Sequence, residues 1–263
     1  MVGKVTPDNI ATGSTIAAIM GHSKYQTPLE VYMTAVNGRK EWQQNMPSKV
    51  GDYMEDFVLR ESAEMLGLEM LQLDYPEAIW HEDYLAVSLD GTGGALAIEV
   101  HHDPDKGVYI MSDEDSVILT GTVILEAKTT RVQPQTAPDL HRGPLQLQAQ
   151  MLCTGASWGA VCTMYQGSEL RIFVYKANPD VQEQIIAHAK EFKRRVEERD
   201  PYPAFSAAEA VEKYPPAEEK KIITADQALK DKIDQLVHIR SELRAYQALE
   251  DGLQLDIMEM MKD

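Results

Sequence analysis

The alternation of apolar and polar positions predicts a helical start, a strand-rich middle and a helical end. Apolar residues spaced three or four apart predict helices over residues 16–20, 29–36 and 50–66, each followed by a glycine within two residues. From residue 78 onward, short apolar runs alternate with Gly, Asp and Pro, which is the pattern of strands and turns. These strands are predicted over residues 79–80, 84–87, 96–100, 108–111, 117–119 and 123–125. Their close spacing favours an antiparallel meander.

Two further strands follow before the helical pattern returns. A helix is predicted over residues 144–153, and strands over residues 158–165 and 170–175 meet at a turn that contains Gly167. Pro179 then opens a helix over residues 181–196. The register of this helix points five apolar side chains inward, namely Ile185, Ile186, Ala189, Phe192 and Val196.

The chain divides into three predicted segments. Residues 1–200 form the main domain, residues 201–223 a proline-containing linker, and residues 224–263 a helical extension. The extension repeats apolar side chains at spacings of three, four and seven, which predicts one helix of roughly 50 Å at about 1.5 Å per residue. Arg240 and Gln247 interrupt its heptad seam. We therefore expect it to pack against the main domain or against another subunit.

Composition places the chain among ordinary globular proteins. Of its 263 residues, 44% are hydrophobic and 25% charged, and no apolar run approaches the roughly 20 residues that span a bilayer. The first fifteen residues lack a secretory pattern, so a soluble, cytoplasmic protein without a membrane partner is expected. Cys153 and Cys162 are too few for a four-thiolate metal site and are predicted to be buried thiols.

The net charge of −17 changes what partners are expected. It argues against broad, non-specific nucleic-acid binding, because Lys and Arg contacts to phosphates supply that affinity. A protein with this charge must hold nucleic acid through a few focused contacts. Residues 103–115 are especially acidic, and the longer segment 93–121 is predicted to be an inserted hairpin.

Three residues form the strongest candidate site. Asp90 follows one strand and precedes Gly91, while Glu126 and Lys128 follow the apolar run Val123–Leu125 and share one face of their strand. Carboxylate oxygens are ligands for Mg²⁺ or Mn²⁺, and a lysine can hold a water for attack on phosphorus. The alternative is a turn Asp, an edge Glu and a solvated Lys. The working hypothesis is a metal-dependent nuclease.

Supporting residues are less specific on pattern alone. Glu55 could either solvate its helix or offer a third carboxylate. Gln146 and Gln150 share a helix face at i,i+4, where an amide could assist the lysine or be merely polar surface. The pair His101-His102 would point to opposite faces of a strand, so a second metal site is disfavoured. The sequence contains no serine-hydrolase elbow, P-loop or dinucleotide fingerprint.

The order of these motifs resembles the YqaJ-like recombinases and lambda exonuclease, within the PD-(D/E)XK nuclease superfamily. Any one motif is weak, but five in order make a specific match. They are Thr12–Gly21 with the loop after it, Gly51–Glu55, Ser88–Gly91, Leu125–Lys128, and Gln146–Met151 with Thr154-Gly155.

The resemblance implies an α/β (α+β) restriction-endonuclease-like core, with a central mixed sheet flanked by helices. It implies two Mg²⁺ ions, with Mn²⁺ as the alternative, and 5′-to-3′ digestion of double-stranded DNA ends. The roles carried over are metal binding by Asp90, Glu126, the Ala127 carbonyl and Glu55, water activation by Lys128 supported by Gln146, and binding of the 5′-phosphate by Ser14, Ser88 and Arg131. It also implies a single-strand annealing protein as partner and a ring-shaped homo-oligomer, a trimer.

The sequence departs from the family pattern in two places. An arginine expected before the Gly13-Ser14 motif is absent, so either Lys4 or a residue from elsewhere replaces it, or the DNA end is recognised differently. The basic residue expected after the lysine is best matched by Arg131, with Arg142 as an alternative. Two other functions stay open: a structure-specific or restriction-type endonuclease on the same core, and a DNA-end-binding adaptor whose nuclease centre is vestigial.

Overall fold

The structure is a computed structural model that describes residues 6–38, 45–73, 75–213 and 224–261. The chain separates into two compact units, Met1–Lys213 and Tyr214–Asp263. Lys4, proposed above as a replacement cation, lies outside the described residues, as does the part of the predicted linker after residue 213.

Strands of the first unit form two sheets. A small sheet has the order β1-β4-β3, and a six-stranded mixed sheet has the order β2-β5-β7-β8-β9-β6. Within the described residues the strands are β1 Ala11–Thr12, β2 Glu69–Leu73, β3 Ile79–His81, β4 Leu85–Val87, β5 Gly91–His101, β6 Val108–Ile110, β7 Ser116–Thr130, β8 Trp158–Tyr165 and β9 Glu169–Lys176.

Helices flank the large sheet, as the sequence predicts. In the described residues the helices of the first unit are α1 Gly13–Ile19, α2 Pro28–Asn37, α3 Met46–Met65, α4 Pro144–Thr154, α5 Pro179–Glu198 and α6 Ala207–Lys213, and the second unit contains α7 Gln227–Met260. Several begin with a cap and a proline, as α5 does where the Asn178 side chain accepts from two backbone N–H groups and Pro179 follows. No described helix has the length and apolar character that would cross a membrane.

The predicted antiparallel meander is only partly correct. Residues 117–119 and 123–125 belong to one strand, β7, which pairs antiparallel with β5. β7 pairs in parallel with β8, because α4 carries the chain back across the sheet between them. β6 also pairs in parallel, with β9 at the opposite edge of the sheet. β3 and β4 leave this sheet altogether and join β1.

The segment predicted to be an inserted hairpin is continuous with the central sheet. The outer halves of β5 and β7 pair as far as His101 and Ser116, and a short 3-10 helix, Pro104–Lys106, leads into β6. β6 is buried rather than exposed at a rim. Both histidines are exposed. His102 Nδ1 accepts from the Ile110 N–H at 3.2 Å, whereas His101 lies near Glu99, so the two imidazoles have different partners.

The two faces of the large sheet bury separate cores. Helices α1, α4 and α5 cover one face, where Ile124, Leu147, Phe173 and Phe192 pack together. Helix α3 covers the other, where Val58, Leu59, Leu125 and Ile172 meet. The predicted inward face of α5 is confirmed, because Ile185, Ala189 and Phe192 are buried and Ile186 and Val196 pack against them. Met65, at the end of α3, is exposed.

Three smaller predictions concern the cysteines, the linker and the C-terminal helix. Both cysteines are free thiols, Cys162 fully buried and Cys153 half-buried, and burial raises the pKa of each to about 12. The start of the predicted linker is ordered, because α6 docks through Glu209, which accepts from the Thr27 hydroxyl and the Phe205 N–H. In the second unit, α7 is one continuous helix, as predicted.

We expect Gly143→Ala to destabilise the first unit more than Gly121→Ala does. Both glycines have positive φ, which costs an alanine roughly 1–2 kcal/mol, but only at Gly143 would the new Cβ meet a side chain, 2.7 Å from Val161. Overpacking adds about 1–3 kcal/mol. Urea unfolding of both variants measures the difference, and equal midpoints would show that the approach of α4 to β8 is not tight.

Candidate active site

The register between β5 and β7 brings Asp90 and Glu126 together from distant parts of the chain. Gly91, the first residue of β5, pairs with Leu125 of β7, so the residues just beyond this pair are neighbours. Asp90 Oδ2 accepts a hydrogen bond from the Ala127 N–H at 3.0 Å. The second carboxylate, Glu126, is fully buried on the face of β7 that α4 covers.

Each oxygen of Glu126 has its own donor. Lys128 Nζ donates to Oε1, and the same ammonium reaches Gln146 Oε1 at 3.3 Å. Gln150 Nε2 donates to Glu126 Oε2 at 2.5 Å and to the Ser88 carbonyl at 3.0 Å. Lys128 and both glutamines thus converge on Glu126, because β7 and one face of α4 pack directly together.

Burial and neighbouring charges shift the pKa values of Asp90 and Lys128. The pKa of Asp90 is raised well above its ordinary value, first by burial and then by the charge of Glu126, with Lys128 opposing. Burial alone would lower the pKa of Lys128, but the charges of Glu126, Asp90 and Glu55 and the hydrogen bond to Glu126 outweigh it and raise the pKa. The lysine therefore stays protonated at neutral pH, whereas burial and the neighbouring charge of Glu126 make Asp90 harder to ionise.

Helix α3 approaches the same strand from the opposite face. A Cβ on Gly51 would lie 3.3 Å from Thr129 Oγ1, so the glycine permits close contact between helix and strand. One turn later, Glu55 is half-buried and its charge acts on both Asp90 and Lys128. This geometry explains the Gly-x-x-x-Glu spacing. Gly51 allows α3 to lie close to β7, and Glu55, one turn later, lies near enough for its charge to act on Asp90.

The two candidate serines follow paired strands. β1 and β4 are parallel, with Thr12 opposite Ala86, and Ser14 and Ser88 each lie two residues further along. Both serines are exposed. The Thr12 hydroxyl lies 3.2 Å from Ser14 Oγ and 2.9 Å from Thr15 Oγ1, which forms a short polar network at the start of α1.

Arg131 lies in a different setting from the serines. It is exposed directly after β7 and lines a cavity of about 740 Å³ that also includes Arg142 and the first turns of α3. Neither Ser14 nor Ser88 is among the described residues that line this cavity. Arg131 therefore lines a cavity to which the two serines do not contribute.

Gln150 is the site residue to which the sequence analysis gave no role. Its i,i+4 spacing from Gln146 was the available signal, and both amides do face the site. Gln148, between them, points the other way and bonds the Lys176 carbonyl and the Asn178 N–H. Spacing alone could not tell which amide would reach the carboxylate and which the lysine.

The donor set suits a hard divalent cation. In the described ranges no three His, Cys, Asp or Glu side chains lie together as a metal-binding group. The site nevertheless offers only oxygen ligands of acidic character, from Asp90 and Glu126 with Glu55 nearby. Burial, and after it the charge of Glu126, raises the pKa of Asp90, and a bound cation would oppose this shift. These residues fit Mg²⁺ or Mn²⁺ better than a softer metal.

Asp90, Glu126 and Lys128 thus lie together on a mixed sheet flanked by helices. The family model of the YqaJ-like viral recombinase domain matches residues 5–157, more than half of the chain. The chain belongs to this family, and the resemblance seen in its motifs is confirmed, as is the prediction of a nuclease enzyme.

Two solved structures are similar to this chain. An alkaline exonuclease, LHK-Exo, from Laribacter hongkongensis is 16% identical, with a TM-score of 0.50 over 73% of this chain and 89% of that one. A phage-related exonuclease from Haemophilus somnus 129PT is 10% identical, with a TM-score of 0.49 over 72% and 94%. A comparison with curated proteins gives no match.

We expect Gln150→Leu to lower activity by about 10- to 100-fold, the usual effect of losing a group that orients a metal ligand. The variant leaves Glu126 Oε2 and the Ser88 carbonyl without this donor, which also costs about 1–3 kcal/mol of stability. Nuclease rate and urea midpoint should be measured together. The exposed Gln184→Leu serves as control, and a Gln150→Leu enzyme with normal rate would contradict a supporting role for this amide.

Proposed function

We propose that this protein is a Mg²⁺-dependent exonuclease that digests double-stranded DNA ends from 5′ to 3′ and leaves 3′ single strands for recombination by strand annealing. The observation that carries the proposal is the convergence of Asp90, Glu126 and Lys128 beside the amides of α4. Family membership and the exonuclease names of the two fold relatives support the choice of substrate.

Asp90, Glu126 and the Ala127 carbonyl would hold a first ion in this proposal, and Glu55 would serve a second. Bound Mg²⁺ supplies a Lewis acid that polarises the scissile phosphate and lowers the pKa of an attacking water. The protein contributes the position and the charge of these oxygens. Mn²⁺ is the alternative ion, because it accepts the same ligands.

Lys128 and Gln146 would position the attacking water. Because Lys128 is protonated in this setting, it acts by donating hydrogen bonds to the water and to phosphate oxygens rather than by removing a proton. Gln146 accepts from Lys128 and so fixes the direction of the ammonium. A fixed donor aimed at a developing negative charge stabilises the transition state without reorganisation.

Recognition of the DNA end would fall to Ser14 and Ser88. Their exposed hydroxyls lie at the ends of paired strands, and the Ser88 backbone is tied to Glu126 through Gln150. Arg131 joins them in the proposal as a basic contact to the DNA, although it lines a separate cavity. The 5′-phosphate would thereby be held by groups mechanically linked to the metal ligands.

The assembly and setting complete the proposal. A ring-shaped homo-oligomer, a trimer, would reconcile the net charge of −17 with DNA binding, because only its lumen needs to be positive. The protein would act in the cytoplasm of a bacterium that carries a phage or prophage, beside a single-strand annealing protein. Residues 224–263 are available for either contact.

We expect Lys128→Ala and Glu126→Gln to abolish digestion of a linear duplex. Each removes a group at the reacting centre, and circular dichroism should verify that both variants fold. The wild-type enzyme should release nucleotides from a 5′-phosphorylated duplex with Mg²⁺ and stop with chelator. A duplex with both 5′ ends blocked discriminates the alternatives: equal cutting of blocked and open duplexes would favour an endonuclease, and no cutting of either would favour an adaptor.

We expect Mg²⁺ to raise the Tm of the wild-type protein in proportion to ln(1 + [Mg²⁺]/Kd). Asp90→Asn should lose this shift, because it removes charge while keeping an oxygen that can accept from the Ala127 N–H. Asp83→Asn, a change on the surface, is the control. If Asp90→Asn kept the full shift, the ion would bind elsewhere.

A further inference from the structure

A basic cavity of about 290 Å³ adjoins the candidate active site and shares Lys128 with it, and the rest of its lining has no role in the proposed reaction. Its floor is the same sheet face that carries Glu126, and its roof comes from the loops after α1 and before α4. We call it the Arg142 cavity. The lining residues that matter are Lys128, Thr130 and Thr163 on the sheet side, and Tyr25, His141 and Arg142 on the roof.

The strand register places this cavity one step beyond the catalytic lysine. In the parallel pair β7 and β8, Lys128 lies opposite Thr163 and Thr130 opposite Tyr165. Alternate residues of a strand face the same side, so Lys128 and Thr130 are neighbours on one face, about 6.6 Å apart along the strand. This step is comparable to the spacing of adjacent phosphates in a nucleic-acid strand.

Arg142 is held in place by neutral groups. Nη1 donates to Thr130 Oγ1 at 2.7 Å, Nη2 donates to the Tyr25 hydroxyl at 2.5 Å, and the guanidinium lies over the Tyr25 ring at 5.7 Å. In the part of the chain that the structure describes, no carboxylate forms an ion pair with Arg142. A fixed guanidinium with unused donors and no acid partner is suited to bind an anion.

Two buried polar atoms in the cavity lining also lack a partner. Thr163 is only 4% exposed, and neither its Oγ1 nor His141 Nε2 forms a hydrogen bond within the described residues. Buried polar atoms in native proteins are normally satisfied, so each such atom calls for a ligand or water. Burial lowers the pKa of His141, and the charge of Arg142 lowers it further against the opposing charge of Asp139, which leaves the imidazole neutral.

We propose that the Arg142 cavity is a phosphate subsite that binds the backbone of a DNA strand one nucleotide step from the scissile phosphate. Arg142 is the anchoring cation, and the Thr163 hydroxyl and the His141 imidazole donate to phosphate oxygens. The lining residues require only that the ligand carry a phosphate group. The identification of DNA as the molecule that carries this phosphate rests on the proposed function. A basic pocket of this kind supplies the focused contact that a chain with net charge −17 needs.

The test is equilibrium binding of a fluorescent duplex end, measured by anisotropy across a salt series with Ca²⁺ in place of Mg²⁺. Arg142→Met should bind about tenfold more weakly and reduce the slope of log K against log[salt] by about one. Arg60→Met removes the same charge from an exposed position on α3 and should leave both values unchanged. Thr163→Val removes a hydroxyl that has no hydrogen-bond partner within the described residues. This variant gives a second test of the subsite in case the Arg142→Met protein does not fold.

A series of duplexes with single neutral methylphosphonates identifies the source of the phosphate. Wild-type protein should lose affinity most strongly at one linkage next to the cleavage position, and Arg142→Met should lose the extra penalty at that linkage alone. Competition by 5′-deoxyadenosine monophosphate that depends on Arg142, without any sensitive linkage, would assign the site to the released nucleotide instead. An unchanged affinity and salt slope in Arg142→Met would overturn the phosphate subsite.

The outcomes also distinguish this inference from the proposed function. Normal digestion by the wild type together with unaltered DNA binding by Arg142→Met would overturn only the proposed phosphate subsite. If the wild type binds the duplex through Arg142 but releases no nucleotides in Mg²⁺, the proposed exonuclease activity is overturned and the phosphate subsite is supported.

Discussion

The carboxylate of Glu126 lies in the centre of a sheet with no access to water, and this constraint governs the rest of the site. A buried charge without partners costs several kilocalories per mole, so both oxygens must be paired within the protein. Lys128 satisfies one and Gln150 the other, and the same two groups hold Gln146 and the Ser88 backbone. The hydrogen bonds that satisfy Glu126 therefore also fix the positions of Lys128, the two glutamine amides and the Ser88 backbone.

Two close approaches make this compensation geometrically feasible. α4 must lie near β7 and β8, which Gly143 and Gly159 permit because a Cβ at either would lie 2.7 Å from a side chain. α3 must reach the other face of β7, which Gly51 permits at Thr129. The glycines therefore have as much influence on the site as the charged residues do. They set the separation of the elements, and the charged side chains then fill the space that remains.

The local sequence pattern was sufficient to predict most helices and the pairing of Glu126 with Lys128, because helical periodicity, helix caps and residues two apart on a strand are properties of short segments. The inward face of α5 and the position of Glu126 after an apolar run are examples. Pairing between strands distant in sequence was not predictable in this way. Nothing local in Val108–Ile110 indicates that β6 pairs in parallel with β9, and Gly121 in the middle of β7 suggested a turn where the strand continues. The role of Gln150 likewise depends on which element α4 packs against.

The path of the chain between the two acids has a consequence for how firmly the site is held. Gly91 and Leu125 fix the meeting point of Asp90 and Glu126 at the inner end of β5 and β7, while the chain between the outer ends of these strands returns to the sheet as β6, which pairs with β9. β9 pairs in turn with β8, and β8 with β7. The segment that separates the two acids in sequence is therefore anchored at the far edge of the same sheet, and the strand that carries Glu126 and Lys128 is held through both of its neighbours.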